Sequence, residues 1–405
     1  MPEVNSHRWY QIGLFNLILV ALFGLLMRIK LAFDFPFFEQ RFLLHAHSHF
    51  AFSGWISHLL YLCLPALLAK YADRIRLNKY HWLVIINLVS AYGMLIAFTI
   101  QGYKAVSITF STLSLTVGML YAWWFIRDCW RTSATDPAVR WAVAALLAGV
   151  ISSLGPFTLA WLMATKQNDS VFYSGAVYFY LHFQYNGWFF FGIMALIIHY
   201  FKLGTAFNRS FILFAITLIP TVVLSFMWME LPFPLWLLVA MAAGVQMIAG
   251  TWLTKDLIQI YQRRKESIKN FPNWVRWAFT GALLAVFLKF ILQTLSVIPQ
   301  LSQLVFAFRP IVIAYLHLVL LAGFTLFFIG FMAVKGHLPW TKLSKWGFFV
   351  FLIGVLLNEL VLTLEGLTAL RGWFVGNTQN WLVVAAVLLF LGSISLFSSQ
   401  VKRQA

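Results

Sequence analysis

Two cysteines, Cys63 and Cys129, are all that this chain of 405 residues contains, and charged side chains make up only 10% of it. A distant pair of thiols cannot build a disulfide framework, and the Cys-x-x-Cys-His string that attaches heme covalently is absent. A soluble globular surface needs about 25% charged residues, so the composition excludes that class. Acidic residues are the scarcest, 12 against 29 Lys and Arg, which leaves a formal net charge of +17. Long polar stretches are missing too. The connections between apolar runs reach about 10–20 residues, loop-like lengths, so residues 1–405 read as one polytopic membrane domain. The first ten residues carry no small-residue cleavage site, so the first apolar run is read as retained. No sequence repeat is evident, which speaks against an inverted-repeat transporter.

Apolar residues are abundant, at 61% with a mean hydropathy of +0.82. Twelve apolar runs fall near 10–29, 42–69, 80–101, 106–126, 140–165, 171–201, 210–230, 232–254, 274–298, 309–334, 346–370 and 379–399. Each is about long enough to cross a hydrocarbon core roughly 30 Å thick. Backbone polar groups in lipid must satisfy one another, and the alternation of barrel strands is absent, so the runs predict helices. The fold class is therefore an all-α integral membrane protein with twelve transmembrane helices. Of the 29 Lys and Arg, 21 lie at the termini and in the loops on the same side as them. Positive residues stay cytoplasmic, which predicts both termini inside a bacterial-type inner membrane and helices 2, 6 and 10 entering from outside. The same distribution accounts for the net charge without a nucleic-acid partner. The basic run from Arg263 to Lys269 reads as an anchor facing anionic lipid.

Three helices carry histidine where hydrocarbon makes a polar ring costly: Phe42-Leu-Leu-His-Ala-His-Ser-His-Phe50, Tyr180-Leu-His-Phe-Gln-Tyr-Asn-Gly-Trp188 and Tyr315-Leu-His-Leu318. Such residues point to function, and imidazole is the commonest metal ligand. At about 1.5 Å per residue, His45 lies roughly 6 Å below the outer surface, His49 and His317 roughly 12 Å, and His182 roughly 18 Å. Three helices thus bring imidazole towards one layer, as two axial ligands of a buried heme require. Successive residues turn by about 100°, so His45 and His49 share a face while His47 points nearly opposite. A heme can use His45 or His49, leaving His47 for a neighbouring helix, a second site or headgroups. His58 returns to the His47 face deeper in the membrane and is a candidate for metal binding or proton transfer. His7, His81, His199 and His337 fall at the inner interface. Glu359 and Asn358 in helix 11 and Lys289 and Gln293 in helix 9 are further buried polar candidates.

These strings resemble the heme-copper oxidase superfamily, in particular its nitric oxide reductase branch and the related NnrS-like heme proteins. Arg41-Phe-Leu-Leu-His45 is similar to the start of that family's helix II, where a histidine binds the low-spin heme. His47-Ser-His49 followed by Gly54 is similar to the His-x-His-x-x-x-x-Gly string of NnrS-like proteins. The two alignments differ by two residues, and the helix 2 ligand stays open between them. His182-Phe-Gln-Tyr-Asn-Gly187 resembles the His-Leu-Trp-Val-Glu-Gly string that supplies non-heme iron ligands in nitric oxide reductases. Asn186 stands in place of the glutamate, and an amide is a poor ligand for hard iron. Helix 10 keeps one histidine, His317, of the family's His-x-His, and helix 7 has none.

The resemblance implies a heme-copper-oxidase-like bundle holding one b-type heme, or two, between helix 2 (His45 or His49) and His317, with Arg371 as a propionate partner. It implies a depleted metal centre around His47, His182 and Asn186, lacking the ligands for copper or non-heme iron. The expected function is electron transfer or a response to nitric oxide or oxygen, with a quinol or cytochrome as donor and oxidoreductase activity left open. The alternatives are a metal or small-solute transporter built on the helix 2 histidines, and an assembly partner whose histidines only hydrogen-bond.

Overall fold

With no water to bond the backbone in lipid, a chain this apolar has one way to satisfy its amides without closing a barrel, and it takes it. The computed structural model describes residues 6–401 apart from 72, 168, 230, 370 and 374. Helix makes up 85% of it, and no strand occurs among the described residues, which removes the barrel alternative.

Eleven helices are long and apolar enough to span a membrane. They are α1 (His7–Ala32), α2 (Gln40–Tyr71), α3 (Asn78–Gln101), α4 (Ala105–Thr132), α5 (Pro137–Ala164) and α6 (Ser170–Tyr200), then, after α7, α8 (Phe233–Arg263), α9 (Asn273–Leu295), α10 (Arg309–Val334), α11 (Lys342–Ala369) and α12 (Thr378–Gln400). Between α6 and α8, Asn208–Leu218 and Pro220–Phe226 meet at 52° and together form α7. With this pair counted as one span there are twelve, at the positions the apolar runs predict.

Local chemistry sets the ends. Asp136 and Asp169 cap α5 and α6 by accepting from the amides of Ala138 (2.9 Å) and Val171 (2.8 Å). Gly102, at φ +63°, ends α3 in a conformation that favours glycine, and a side chain there would collide with the Phe42 ring. Pro220 cannot continue the ladder of α7 and sits at its bend.

Each helix packs on the next in chain order, and α12 closes back on α1. Innermost are α2 and α6, whose apolar windows are 89% and 83% buried; α10, at 50%, has its second half, Leu326–Ala333, buried beside them. The three inner helices are tied to one another in a cycle. Trp188 of α6 donates to Ser57 Oγ of α2 (2.9 Å), Trp55 of α2 donates to Thr325 Oγ1 of α10 (2.9 Å), and Phe324 of α10 meets Phe189 of α6 edge-on at 6.0 Å. These are the same three helices that carry the membrane histidines.

Candidate functional site

The three inner helices share an irregularity. Each contains a π-helical stretch, Ala51–Ser57 in α2, Phe183–Phe189 in α6 and Leu318–Thr325 in α10. Each stretch follows a histidine by one or two positions, and each encloses a glycine followed by an aromatic: Gly54-Trp55, Gly187-Trp188 and Gly323-Phe324. In α2 and α6 the strings align without a gap as His-Phe-x-x-x-Gly-Trp, from His49 and His182; α10 departs by one inserted residue. The chain therefore holds one short string twice, while no repeat of greater length is evident. It escapes notice because its copies lie more than 130 residues apart and share only three side chains. Runs of π-helix are rare and concentrate at functional sites, because the extra residue re-aims the side chains around it.

The histidines divide by how their ring nitrogens are engaged. His47 donates from Nδ1 to the Val20 carbonyl of α1 (3.0 Å), and His317 donates from Nδ1 to Ile313 O one turn earlier in α10 (2.8 Å). A carbonyl only accepts, so both rings carry their proton on Nδ1 and hold a lone pair on Nε2. The two half-buried rings lie within electrostatic reach of each other and of Arg28 on α1, which in turn lies within reach of Glu365 on α11. His47, His317 and Arg28 thus neighbour one another at the end of the bundle remote from the termini, and Glu365 neighbours Arg28. A Cβ at Gly24 would meet the His47 ring at 3.4 Å, ordinary contact, so α1 lies directly against this ring.

His45 and His49 lie on the other face of α2. His49 bonds through Nε2 to the Tyr103 hydroxyl (2.9 Å) and stacks on Phe98 at 4.5 Å, while His45 meets the edge of Tyr103 at 4.6 Å with Nε2 buried and without a hydrogen-bond partner. The helical-face argument separates these two from His47 as observed. The side of α2 turned towards His317 is nevertheless that of His47, where the sequence places His45 or His49.

His182 has both nitrogens engaged. Its Nε2 donates to Leu218 O in α7 (2.9 Å), and its Nδ1 accepts from the Asn186 amide (3.0 Å). The bend at Pro220 explains the first bond: Val222 N–H bonds to Ile219 O instead of continuing the α-ladder, which leaves Leu218 O available. Around it, Gln293 Nε2 donates to Gln246 Oε1 (2.6 Å) and Gln246 Nε2 to Thr221 Oγ1 (3.0 Å), with the Lys289 ammonium 4.1 Å from the Phe290 ring. His47 lies apart from His182 and Asn186, and among the described residues no three His, Cys, Asp or Glu side chains gather as a metal-binding group.

The remaining candidates are spread out. Arg371 is exposed, with its guanidinium 5.5 Å from the Trp373 ring, so Arg28 is the arginine that accompanies the His47–His317 pair. His58 donates to Trp9 O (3.1 Å) in α1, and His199 pairs with Asp136 (2.7 Å). Asn358 bonds Glu359 at 3.2 Å. Arg28 went unremarked in the sequence because it stands near the end of an apolar run, where an ordinary interfacial anchor is expected.

No protein-family model matches the chain, and no curated protein matches it.

Proposed function

We propose that the chain is a multi-pass membrane protein that binds a b-type heme between α2 and α10, where His47 and His317 would hold it, in electron transfer or in a response to nitric oxide or oxygen. One observation carries this reading: both rings are held by Nδ1–H to a backbone carbonyl, which fixes the tautomer, orients the ring and leaves Nε2 to bind iron. The residues present fit the group. Two neutral imidazoles from separate helices suit iron, and Arg28 beside them suits an acidic propionate through a guanidinium fork. Heme, when bound, would supply one-electron redox chemistry. The protein's part is to fix the two rings, to shield them within the bundle and to offset the propionate charge, with a quinol or a cytochrome as the partner that supplies electrons.

The absorption spectrum of the purified chain, oxidised and dithionite-reduced, tests the proposal. His47→Ala and His317→Ala are each expected to remove the six-coordinate bands, whereas His45→Ala and His49→Ala leave them. Well-folded protein that stays free of heme after heme-replete expression would sink the reading.

A polar cavity favours a second reading. Mid-bundle, between α2, α3, α4, α5 and α6, lies a space of about 60 Å³ faced by Ser53, Ser57, Asn87, Ser153 and Gln184. At one probe sphere of roughly 10–15 Å³ each, it has room for a handful of waters. In a permease it forms part of a path for a metal ion or small solute that starts at His45 and His49. Metal uptake into proteoliposomes that disappears in His45→Ala and His49→Ala would favour this reading over the heme.

A further inference from the structure

The mid-bundle cavity between α2, α3, α4, α5 and α6 is lined by polar groups that the protein leaves without partners. Asn87 on α3 commits its Nδ2 to Ser53 O (3.0 Å), and Gln184 on α6 commits its Nε2 to Ser152 Oγ (2.8 Å). Among the described residues neither side-chain oxygen accepts a hydrogen bond, and the hydroxyls of Tyr61 on α2 and Tyr180 on α6 have no partner either. These four atoms are not sealed by packing, unlike the enclosed Nε2 of His45. A Cβ at Gly118 of α4 would stand 3.0 Å from the Tyr61 hydroxyl, which places that hydroxyl against the α4 wall.

Buried polar groups nearly always find a partner, so four that share one cavity without any point to an occupant. No Asp, Glu, Lys, Arg or His lines the space, and an ion at this depth would meet no opposite charge to offset its lost hydration. The occupant is therefore neutral. At roughly 10–15 Å³ for each water-sized group, the cavity of about 60 Å³ takes about four to six non-hydrogen atoms. Phe52, Leu115, Met119 and Leu146 face the same space and offer water nothing to bond, whereas a molecule with one apolar and one polar end suits both walls. An amide oxygen only accepts, so the polar end must donate.

We propose that this cavity binds one small neutral molecule that carries a short apolar group and N–H or O–H donors, a short-chain amide or alcohol. The proposal rests on the cavity of the second reading but not on transport through it. In a permease it narrows the solute to a neutral one, and it stands equally beside a bound heme.

Saturation-transfer NMR of the full chain in detergent, observing acetamide and separately acetate, which has the same shape and a charge, is the test. The wild type is expected to bind acetamide saturably and acetate not at all. Tyr61→Phe and Tyr180→Phe each remove a hydroxyl that bonds no protein group, so each should leave the melting temperature unchanged and weaken acetamide about fivefold, the weight of one net hydrogen bond. Gly118→Ala should weaken it too, by crowding the Tyr61 hydroxyl without removing a polar group. Acetamide binding without metal uptake into proteoliposomes sinks the permease alone, and metal uptake without acetamide binding sinks this proposal alone. No saturable acetamide signal from the wild type, which means a cavity filled by water only, overturns the proposal. Acetate bound as tightly as acetamide, or equal acetamide binding by wild type and all three variants, overturns it as well.

Discussion

A neutral imidazole has one donor and one acceptor, and where each is committed separates the histidines of this chain. His182 gives its proton to Leu218 O and receives one from Asn186, so no lone pair is left for a metal. Its resemblance to an iron-ligand string survives in spacing, while its chemistry here joins α6 to the bend of α7. His182→Ala takes the Asn186 amide's partner away and leaves Leu218 O with only the Thr221 hydroxyl (3.3 Å), which costs about 1 kcal/mol by the usual penalty for a lost buried hydrogen bond, moderated in membranes where alternative partners exist. The expected outcome is a lower melting temperature in detergent with the heme bands of the wild type intact. Loss of heme in a variant that still melts cooperatively would show that His182 reaches the cofactor.

Among the elements, the spans were legible in the sequence because length and apolarity suffice to place them, and Pro220 accounts for the one that bends. Which face of α2 meets α10 was not legible. A helix wheel orders His45, His47 and His49 relative to one another, but the neighbour on each side follows from packing across the whole chain, and nothing in the α2 string names α1 or α10. The π-helical stretches were hidden for a related reason: their i→i+5 bonds leave no mark in an apolar pattern beyond a glycine. Glycine also sets the approach of α11 and α12. A Cβ on Gly392 of α12 would stand 2.6 Å from the Phe351 amide of α11, and one on Gly354 of α11 2.9 Å from the Leu389 amide. Backbone atoms cannot step aside as a flexible side chain does. Gly392→Ala must therefore push α11 and α12 apart, where small residues otherwise let them touch. We expect it to destabilise the bundle by about 1–3 kcal/mol, the usual cost of overpacking. A thermal melt checks this, and an unchanged melting temperature would mean that α12 is free to slide.

At the scale of the molecule, the other helices surround α2, α6 and the buried half of α10, and the chemistry divides by height. His47, His317, Arg28 and Glu365 lie towards the end where α2 and α10 begin, and the proposed solute cavity lies deeper, mid-bundle. The distribution of charge predicts which end faces the cytoplasm. Lys and Arg number 21 at the termini and in the loops on their side, against 8 elsewhere, and short loops rich in these residues stay on the cytoplasmic side. With twelve spans both ends of the bundle's chain return to that face, and the connection from α8 to α9, with Arg263, Arg264, Lys265 and Lys269, lies on it as well. A reporter active only in the periplasm should therefore be silent when fused at Lys265 and active when fused in the loop that precedes α10. The histidine pair would then sit in the outer half of the bilayer, accessible to a donor or gas from outside. Periplasmic activity at Lys265 would invert the assignment and place the pair towards the cytoplasm instead.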